Sequence, residues 1–593
     1  MFKKTTTVLM ISVGLIALLA WNFPFNDDWK EKVSPTLLEK AKQGGHVDFL
    51  VIMIGKADVS DAYTLNTKDE KAWYVFNQLK QTAESSQQNI INFLKEEHAK
   101  HKPFYIINSI YVVGDLNLIK TLAERKDVAK IQHNPKGRVE EPIEDSSANS
   151  RGPNALEWGI ERINADDVWA LGYTGQNVVV AGADTGYDWT HPAIQPKYRG
   201  WNGTDADHNY NWHDAIHEFS PLGDSMNNCG LNLVVPCDDW GHGTHTMGTM
   251  VGLDGDNEIG VAPGAKWIAC RNMEDGWGAL TTYIECFEWL LAPTDLNDEN
   301  ADPTKAPHVV NNSWYCSEGE GCNSTNWGLL ETAVDALKAA GIVVVVSAGN
   351  SGSQGCETVQ FSPAIFENSF SIGATKYDSM LMDDIIAGFS SRGAVSVDSS
   401  YRMKPEVVAP GRDVRSCIPN GGYSLMSGTS MAGPHAAGVV ALIISANPDL
   451  AGQVELIEEI IIQTAVAKTT DQECSGVAGT EVPNNTYGYG RIDALAAVQL
   501  ALSMTSTKTV STNPFVKTYP NPTTESVTFE LQNLDGRNTL EIFDVSGKRL
   551  IQKQFEVNGN FSETISLDGM PNGIYFYKIT NDENSFDGKL VKN

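Results

Sequence analysis

Along this chain the pattern of apolar and polar positions changes four times. A short apolar run at residues 8–20 follows Lys3 and Lys4. From 46 to 133, short β-rich runs alternate with helical spacing. HVDFLVIMIG (46–55) predicts a strand, 69–102 a helix rich in Gln, Lys and Glu, FYIINSIYVV (104–113) a strand, 116–125 a helix and 128–133 a strand. Further on, NVVVAGA (177–183) and GIVVVVSA (341–348) are continuous apolar runs, the pattern of parallel strands buried on both faces. They alternate with small-residue helical segments, THTMGTMVGL from Thr244 and MAGPHAAGVVALIISA at 431–446, where Pro434 is expected inside the first turn. From 516 on, SVTFEL, LEIFDVSGKRL and GIYFYKI read as strands separated by turns. The pattern predicts a β-α-β-α-β unit, then an α/β domain with a parallel sheet, then a β-sandwich.

The chain has 593 residues, too many for one typical domain, and a net charge of -30. That charge argues against nucleic acid as a partner and for solubility. The run at 8–20 is short for a membrane span and suits a signal peptide over 1–20, although Ala17-Leu18-Leu19-Ala20 is not an A-x-A cleavage pattern. A retained anchor is the alternative reading, and no other segment is expected to span a bilayer. Nine cysteines lie between Cys229 and Cys474. Export permits disulfides, and the near neighbours Cys229/Cys237 and Cys316/Cys322 are the expected pairs. An odd count leaves at least one thiol, for which Cys270, in an apolar strand, is the candidate.

Three short segments carry the candidate chemistry: Asp184-Thr185-Gly186, His242-Gly243-Thr244-His245 and Gly428-Thr429-Ser430-Met431-Ala432. A serine hydroxyl needs an adjacent base to become a nucleophile. Histidine titrates near neutrality and can hold the proton, and a buried carboxylate fixes its tautomer. Asp184 ends a predicted strand, while His242 and Ser430 open predicted helices. The order Asp…His…Ser, with WTHPAI (189–194), HGTHTMGTMVG (242–252), GVAPGAKWIACR (260–271), VVNNSW (309–314) and KPEVVAPG (404–411), resembles the subtilisin-like serine proteases, closest to their bacillopeptidase F branch.

The resemblance covers about 156–502 and implies a subtilisin-like parallel-sheet catalytic domain. It assigns Asp184, His242 and Ser430 to the triad and Asn350 to the oxyanion hole beside the Ser430 N–H. It places the substrate between Gly276-Trp277-Gly278 and Ser313-Trp314-Tyr315, with the pocket floor near Gln360 or Phe361 and no acidic residue marking a basic-residue specificity. Tyr315 stands where many relatives have glycine. No cofactor is required and no metal ligand is assigned. Structural calcium is compatible with the family, but the loop 253–259 is about one residue shorter than the calcium-holding loop of subtilisin, so that site is not carried over. The alternating Asp205, Asp207, Asn209 and Asn211 read as a surface loop, since Tyr210 and Ile216 stand where a calcium loop needs Gly and Glu. His245 lacks the Glu of a zinc HExxH motif, and it, His435, Asp188 and His191 are expected to be structural.

The unit over 31–140 resembles the inhibitor-type propeptides of subtilases, an α+β ferredoxin-like fold, followed by an exposed processing linker at 141–155. A Ser/Thr-rich linker spans 503–515. The segment 516–593, with YPNP (519–522), a Ser-Gly-Lys turn and a terminal GKLVKN, resembles the C-terminal sorting domain of the type IX secretion system. The chain is therefore expected to be a secreted serine endopeptidase made as a zymogen, extracellular or attached to the outer-membrane surface. Its expected partners are protein or peptide substrates, its own propeptide as inhibitor and the outer-membrane secretion machinery, and it is expected to be a monomer. The alternative is a surface adhesion or scaffold protein with an inactive protease fold.

Overall fold

The structure, a computed structural model, describes residues 28–139, 156–223, 227–505, 515–519, 523, 525–532, 536–545, 547–557, 561–581 and 585–592. The expected signal peptide (1–20), the processing linker (141–155), most of the Ser/Thr-rich linker and Pro520, Asn521 and Pro522 of YPNP lie outside the described residues. The chain forms two compact units, Met1–Ala501 and Leu502–Asn593.

The first unit opens with an antiparallel four-stranded sheet. Its strands lie in the order Lys100–Phe104, Ser109–Gly114, Val47–Met53, Val128–His133. With the helices Lys68–Glu96 and Leu116–Ala123 this is a ferredoxin-like arrangement. The long helix starts on a capping box, Glu70 N–H donating to Thr67 Oγ1 and Thr67 N–H to Glu70 Oε2. It buries Ala72, Val75, Leu79, Ala83, Ile90 and Leu94 along one face. Two expectations change here. The helix stops at Glu96 rather than running to 102, and the apolar run 104–113 is not one strand but the turn and second arm of a hairpin. The turn, Tyr105-Ile106-Ile107-Asn108, lacks Gly and Pro. It closes on Asn108 at φ 45°, whose Oδ1 accepts from Gln87 Nε2 of the helix at 2.9 Å. Its Tyr105 and Ile106 N–H groups donate to Glu288 Oε2, 183 and 182 residues away in the chain, at 2.6 and 2.8 Å.

Behind this layer lies a sheet of eight strands. Trp212–Asp214, Lys266–Arg271, Val179–Asp184, Val309–Asn312, Val343–Ser347 and Phe370–Asp378 run parallel in that order. Val407–Pro410 pairs parallel with Phe370–Asp378, and Asp383–Ile386 pairs antiparallel. Its central strands are buried throughout, which is why they read as unbroken apolar runs. Their C-terminal ends lie at one edge, as open α/β sheets arrange their sites. The helix Thr429–Ala446 runs beneath them. By length and composition alone it could cross a membrane, yet 94% of it is buried inside the unit, where it serves as a core helix. Pro434 is its sixth residue and so sits in the second turn, not the first. The ring removes the bond that Ser430 O would receive, and Ser313 Oγ donates to that carbonyl at 3.0 Å instead.

Disulfides join Cys229–Cys237 and Cys316–Cys322, the two expected pairs, and also Cys356–Cys474 and Cys270–Cys286. Cys270 is therefore not the free thiol. The helix Leu280–Leu291 packs back over the strand Lys266–Arg271 and brings Cys286 to it. The free cysteine is Cys417, whose thiol burial pushes up to about 12.

The second unit is a pair of antiparallel sheets. One contains Phe515–Tyr519, Ser526–Gln532 and Phe561–Ser566; the other contains Arg549–Val557, Gly536–Asp544, Gly573–Thr580 and Ser585–Lys592. Val527, Phe529, Leu531, Leu540, Ile542 and Ile579 fill the space between them, a β-sandwich core. Lys592 Nζ donates to the carbonyls of Leu567 and Met570, so the basic end of the chain is folded onto the sandwich.

Candidate active site

Asp184 ends the strand Val179–Asp184, and His242 begins the helix His242–Val251. The helix start can lie on the strand end because residue 243 is glycine. A Cβ there would stand 2.2 Å from Gly186 O and 3.1 Å from Asp184 Cβ. His242 Nδ1 donates to Asp184 Oδ1 at 2.7 Å, with both side chains only 1% exposed. Thr185 N–H donates to the same oxygen at 2.8 Å. A carboxylate fixed on Nδ1 leaves Nε2 as the basic nitrogen.

Ser430 is the second residue of the helix Thr429–Ala446. Its Oγ donates to Ser313 O at 3.4 Å, and His242 Nε2 has no hydrogen-bond partner among the described residues. The Asp–His contact is thus made and the Ser–His contact is not. Catalytic hydrogen bonds in unliganded sites are often long and tighten when substrate binds. Asn350 follows the strand Val343–Ser347. Its Oδ1 accepts from Thr429 N–H at 2.8 Å and Thr429 Oγ1 at 3.1 Å. That fixes the amide with Nδ2 beside Gly428, 3.2 Å from where a Cβ on that glycine would stand.

Asp238 was not singled out by the motifs, and it organises the histidine's position. Its Oδ1 accepts from the N–H of Trp240 and Gly241 at 3.1 and 2.8 Å and from Thr185 Oγ1 at 2.9 Å. Its Oδ2 accepts from Thr244 N–H at 2.9 Å and Thr244 Oγ1 at 2.6 Å. One carboxylate thus ties the first turn of the His242 helix to the residue after Asp184. Burial pushes this carboxyl up, and those donors pull it back. The available signal was an Asp four residues before His242, where it can cap a helix start.

Of the expected substrate walls, Gly276-Trp277-Gly278 lies at the strand Trp277–Ala279, the middle strand of a three-stranded sheet between Met273–Glu274 and Lys136–Arg138. Ser313 and Tyr315 flank a Trp314 that does not face the cleft. Its ring is buried and stacked on Tyr283 at 3.8 Å, and its Nε1 donates to Ala183 O at 3.0 Å. The Tyr315 ring stacks on Phe361 at 4.9 Å, and Cys316 N–H donates to Ser362 O at 3.0 Å, which fixes the region where Gln360 or Phe361 was expected to form the floor.

The other candidates are engaged in structural hydrogen bonds. His245 Nε2 lies 3.1 and 3.2 Å from the carbonyls of Val414 and Ser424, so it carries the proton, and burial pushes this imidazole down to about 3. His435 Nδ1 donates to Met431 O and is pushed down to about 4 by burial. His191 Nε2 donates to Gly422 O, and Asp188 Oδ2 accepts from Asn420 N–H. Asp207 Oδ1 accepts from Asn209 within its own loop.

The subtilase family model matches residues 175–490, more than half of the chain. The model of the secretion system C-terminal sorting domain matches residues 517–593. The chain is 35% identical to bacillopeptidase F of Bacillus subtilis (strain 168) over 492 residues, covering 79% of this chain but only 32% of that protein, about a third of its length. It is 30% identical to subtilisin E of the same organism over 349 residues, 58% of this chain and 73% of that protein. It is 33% identical to subtilisin DY of Bacillus licheniformis over 346 residues, 58% of this chain and 99% of that protein. The sorting domain marks a secreted protein addressed to the outer-membrane surface. With the buried Asp184–His242 pair and a serine-bearing helix at the edge of the same parallel sheet, the chain belongs to the subtilase family.

Proposed function

We propose that this chain is a secreted serine endopeptidase made as a zymogen. The observation that carries the reading is the buried 2.7 Å Asp184–His242 hydrogen bond at the edge of the parallel sheet. In the proposed reaction the Ser430 hydroxyl turns from Ser313 O to His242 Nε2 and attacks the scissile carbonyl carbon as its proton passes to that nitrogen. Asp184 stabilises the resulting imidazolium. Asn350 Nδ2 and the Ser430 N–H bind the oxyanion. Collapse breaks the C–N bond, His242 returns its proton to the leaving amine, and water repeats the sequence on the acyl-enzyme. No organic cofactor takes part.

The zymogen reading rests on the segment that follows the N-terminal layer. Lys136–Arg138 pairs antiparallel with Trp277–Ala279, and Val139 N–H donates to Gly276 O at 2.7 Å. An extended peptide added to an exposed edge is how a protease holds its substrate, so this strand stands where substrate would lie. The chain is taken to act as a monomer, with the outer-membrane secretion machinery as its export partner. A fluorophosphonate probe tests the reading. Processed wild type is expected to be labelled and Ser430→Ala not. An unlabelled wild type points to the scaffold reading instead.

A further inference from the structure

Two neighbouring residues of the strand in the cleft occupy differently built seats. Gly137 stands opposite Gly278, and Arg138 opposite Trp277. A Cβ on Gly137 would meet Tyr283 Oη at 2.8 Å and Tyr315 O at 3.3 Å. Neither can yield easily. The Tyr283 ring is buried and stacked within 5° of parallel on Trp314, and its Oη also lies 2.6 Å from where a Cβ on Gly278 would stand. The hydroxyl is thus wedged between two glycines, one from each strand. The Tyr315 carbonyl belongs to a backbone pinned at the next residue by the Cys316 N–H to Ser362 O bond and by the Cys316–Cys322 disulfide. The seat accepts a hydrogen and excludes a methyl.

The next residue meets the opposite situation. The Arg138 guanidinium lies 5.3 Å from the Trp277 ring centroid and 5.9 Å from that of Trp240, a cation held by two aromatic rings. Directly paired residues present their side chains on the same face of a ladder, so a residue opposite Trp277 must meet its ring. Trp240 is two residues before His242, and the strand runs from Gly137 through Val139 toward it. Trp240 and Val139 both lie within 3.5 Å of where a Cβ on Gly276 would stand. The net charge of -30 adds a long-range attraction for cations.

We propose that the cleft reads a two-residue motif, glycine followed by arginine or lysine, upstream of the scissile bond. Tyr283 and Tyr315 define the glycine seat, and Trp240 and Trp277 clamp the cation. This inference rests on the reading of the cleft as a protease substrate site.

Two measurements test it. In the first, processed enzyme that cleaves casein is given internally quenched peptides carrying residues 134–145 of this chain. Replacing the glycine by alanine is expected to lower kcat/KM by about 10-fold or more, the scale of one added methyl in a closed pocket. Replacing the arginine by glutamine is expected to lower it roughly 2–5-fold, the scale of an exposed cation–π contact. Tyr283→Phe, which removes the hydroxyl and keeps the ring, is expected to narrow the glycine–alanine ratio. Equal rates for the glycine and alanine peptides, or no cleavage of the parent peptide by an enzyme that cleaves casein, overturn the motif and leave the protease reading standing.

The second measurement needs no catalysis and so separates the two ideas. In the full-length Ser430→Ala chain, added trypsin is expected to cut after Arg138 slowly. Gly137→Ala is expected to release the strand and speed that cut about 10-fold, and adding Tyr283→Phe to slow it again. An unchanged cutting rate in Gly137→Ala overturns the glycine seat whether or not the enzyme is active.

Discussion

Asn350 Oδ1 accepts the backbone N–H of Thr429 at 2.8 Å, one residue before Ser430. The contact makes the amide a rigid part of the serine helix's first turn and sets which face its NH2 group presents. If Nδ2 binds the oxyanion, its value lies in the transition state rather than in substrate binding. Asn350→Ala is expected to lower kcat by roughly 10²–10³ with little change in KM. Steady-state kinetics with kcat and KM resolved separately check this, and a loss confined to KM contradicts the role.

Ser430→Ala is expected to keep the fold and lose turnover, leaving about 10³–10⁴ over the uncatalysed rate from binding and the oxyanion hole. If processing is autocatalytic, this variant also keeps its N-terminal layer, while wild type begins somewhere between residues 140 and 156. N-terminal sequencing of both decides it. A mature wild type starting near Trp21 would exclude the prodomain.

Release of the N-terminal layer should depend on pH through Glu288. Burial under the docked layer pushes this carboxyl up to about 7, although the Tyr105 and Ile106 N–H groups and then Lys102 and Lys80 draw it back. A glutamate freed to solvent by release would have the ordinary value near 4.3. A value raised in the docked state means that docking is strongest below the released value and weakens as pH rises through about 7. The lag before activity appears is expected to shorten by about 10-fold or more between pH 5 and pH 8. Glu288→Gln, which cannot titrate, is expected to flatten that dependence. Comparing the lag of wild type with that of Glu288→Gln at each pH separates this from the pH dependence of catalysis, which both forms share.

The two compact units predict separable roles. Deleting residues 513–593 is expected to leave casein cleavage by purified enzyme within about 2-fold of the full chain, because the proposed active-site residues all lie in the first unit. In a host with the secretion system the same deletion is expected to trap the protein in the periplasm. Fractionation with an activity assay on both forms reads both halves; normal export of the truncated chain would sink the sorting role.

Much of the site was legible because its signals are local. Continuous β-branched runs marked the strands that end at Asp184 and Ser347, and small residues around His242 and Ser430 marked helices that pack closely. Asp238 was less legible, since an aspartate before a helix is common and only the fold shows five donors converging on it.

The sequence by itself determined the order and type of elements at the sheet edge, the residues that stand there, and the change to a β-sandwich after residue 515. Those follow from periodicity and residue type within a few positions of each other. Only the tertiary structure decided the hairpin at 105–108, the Cys270–Cys286 pairing, the partner of the carbonyl that Pro434 leaves open, and the closure of the Gly137 seat by Tyr283. Each of these depends on a group brought in from elsewhere in the chain. Glu288 completes a turn that has no glycine or proline, Ser313 supplies a missing donor, and a phenol hydroxyl 146 positions from Gly137 fills its side-chain space. Such pairings are set by which surfaces pack together, and local pattern carries no record of that.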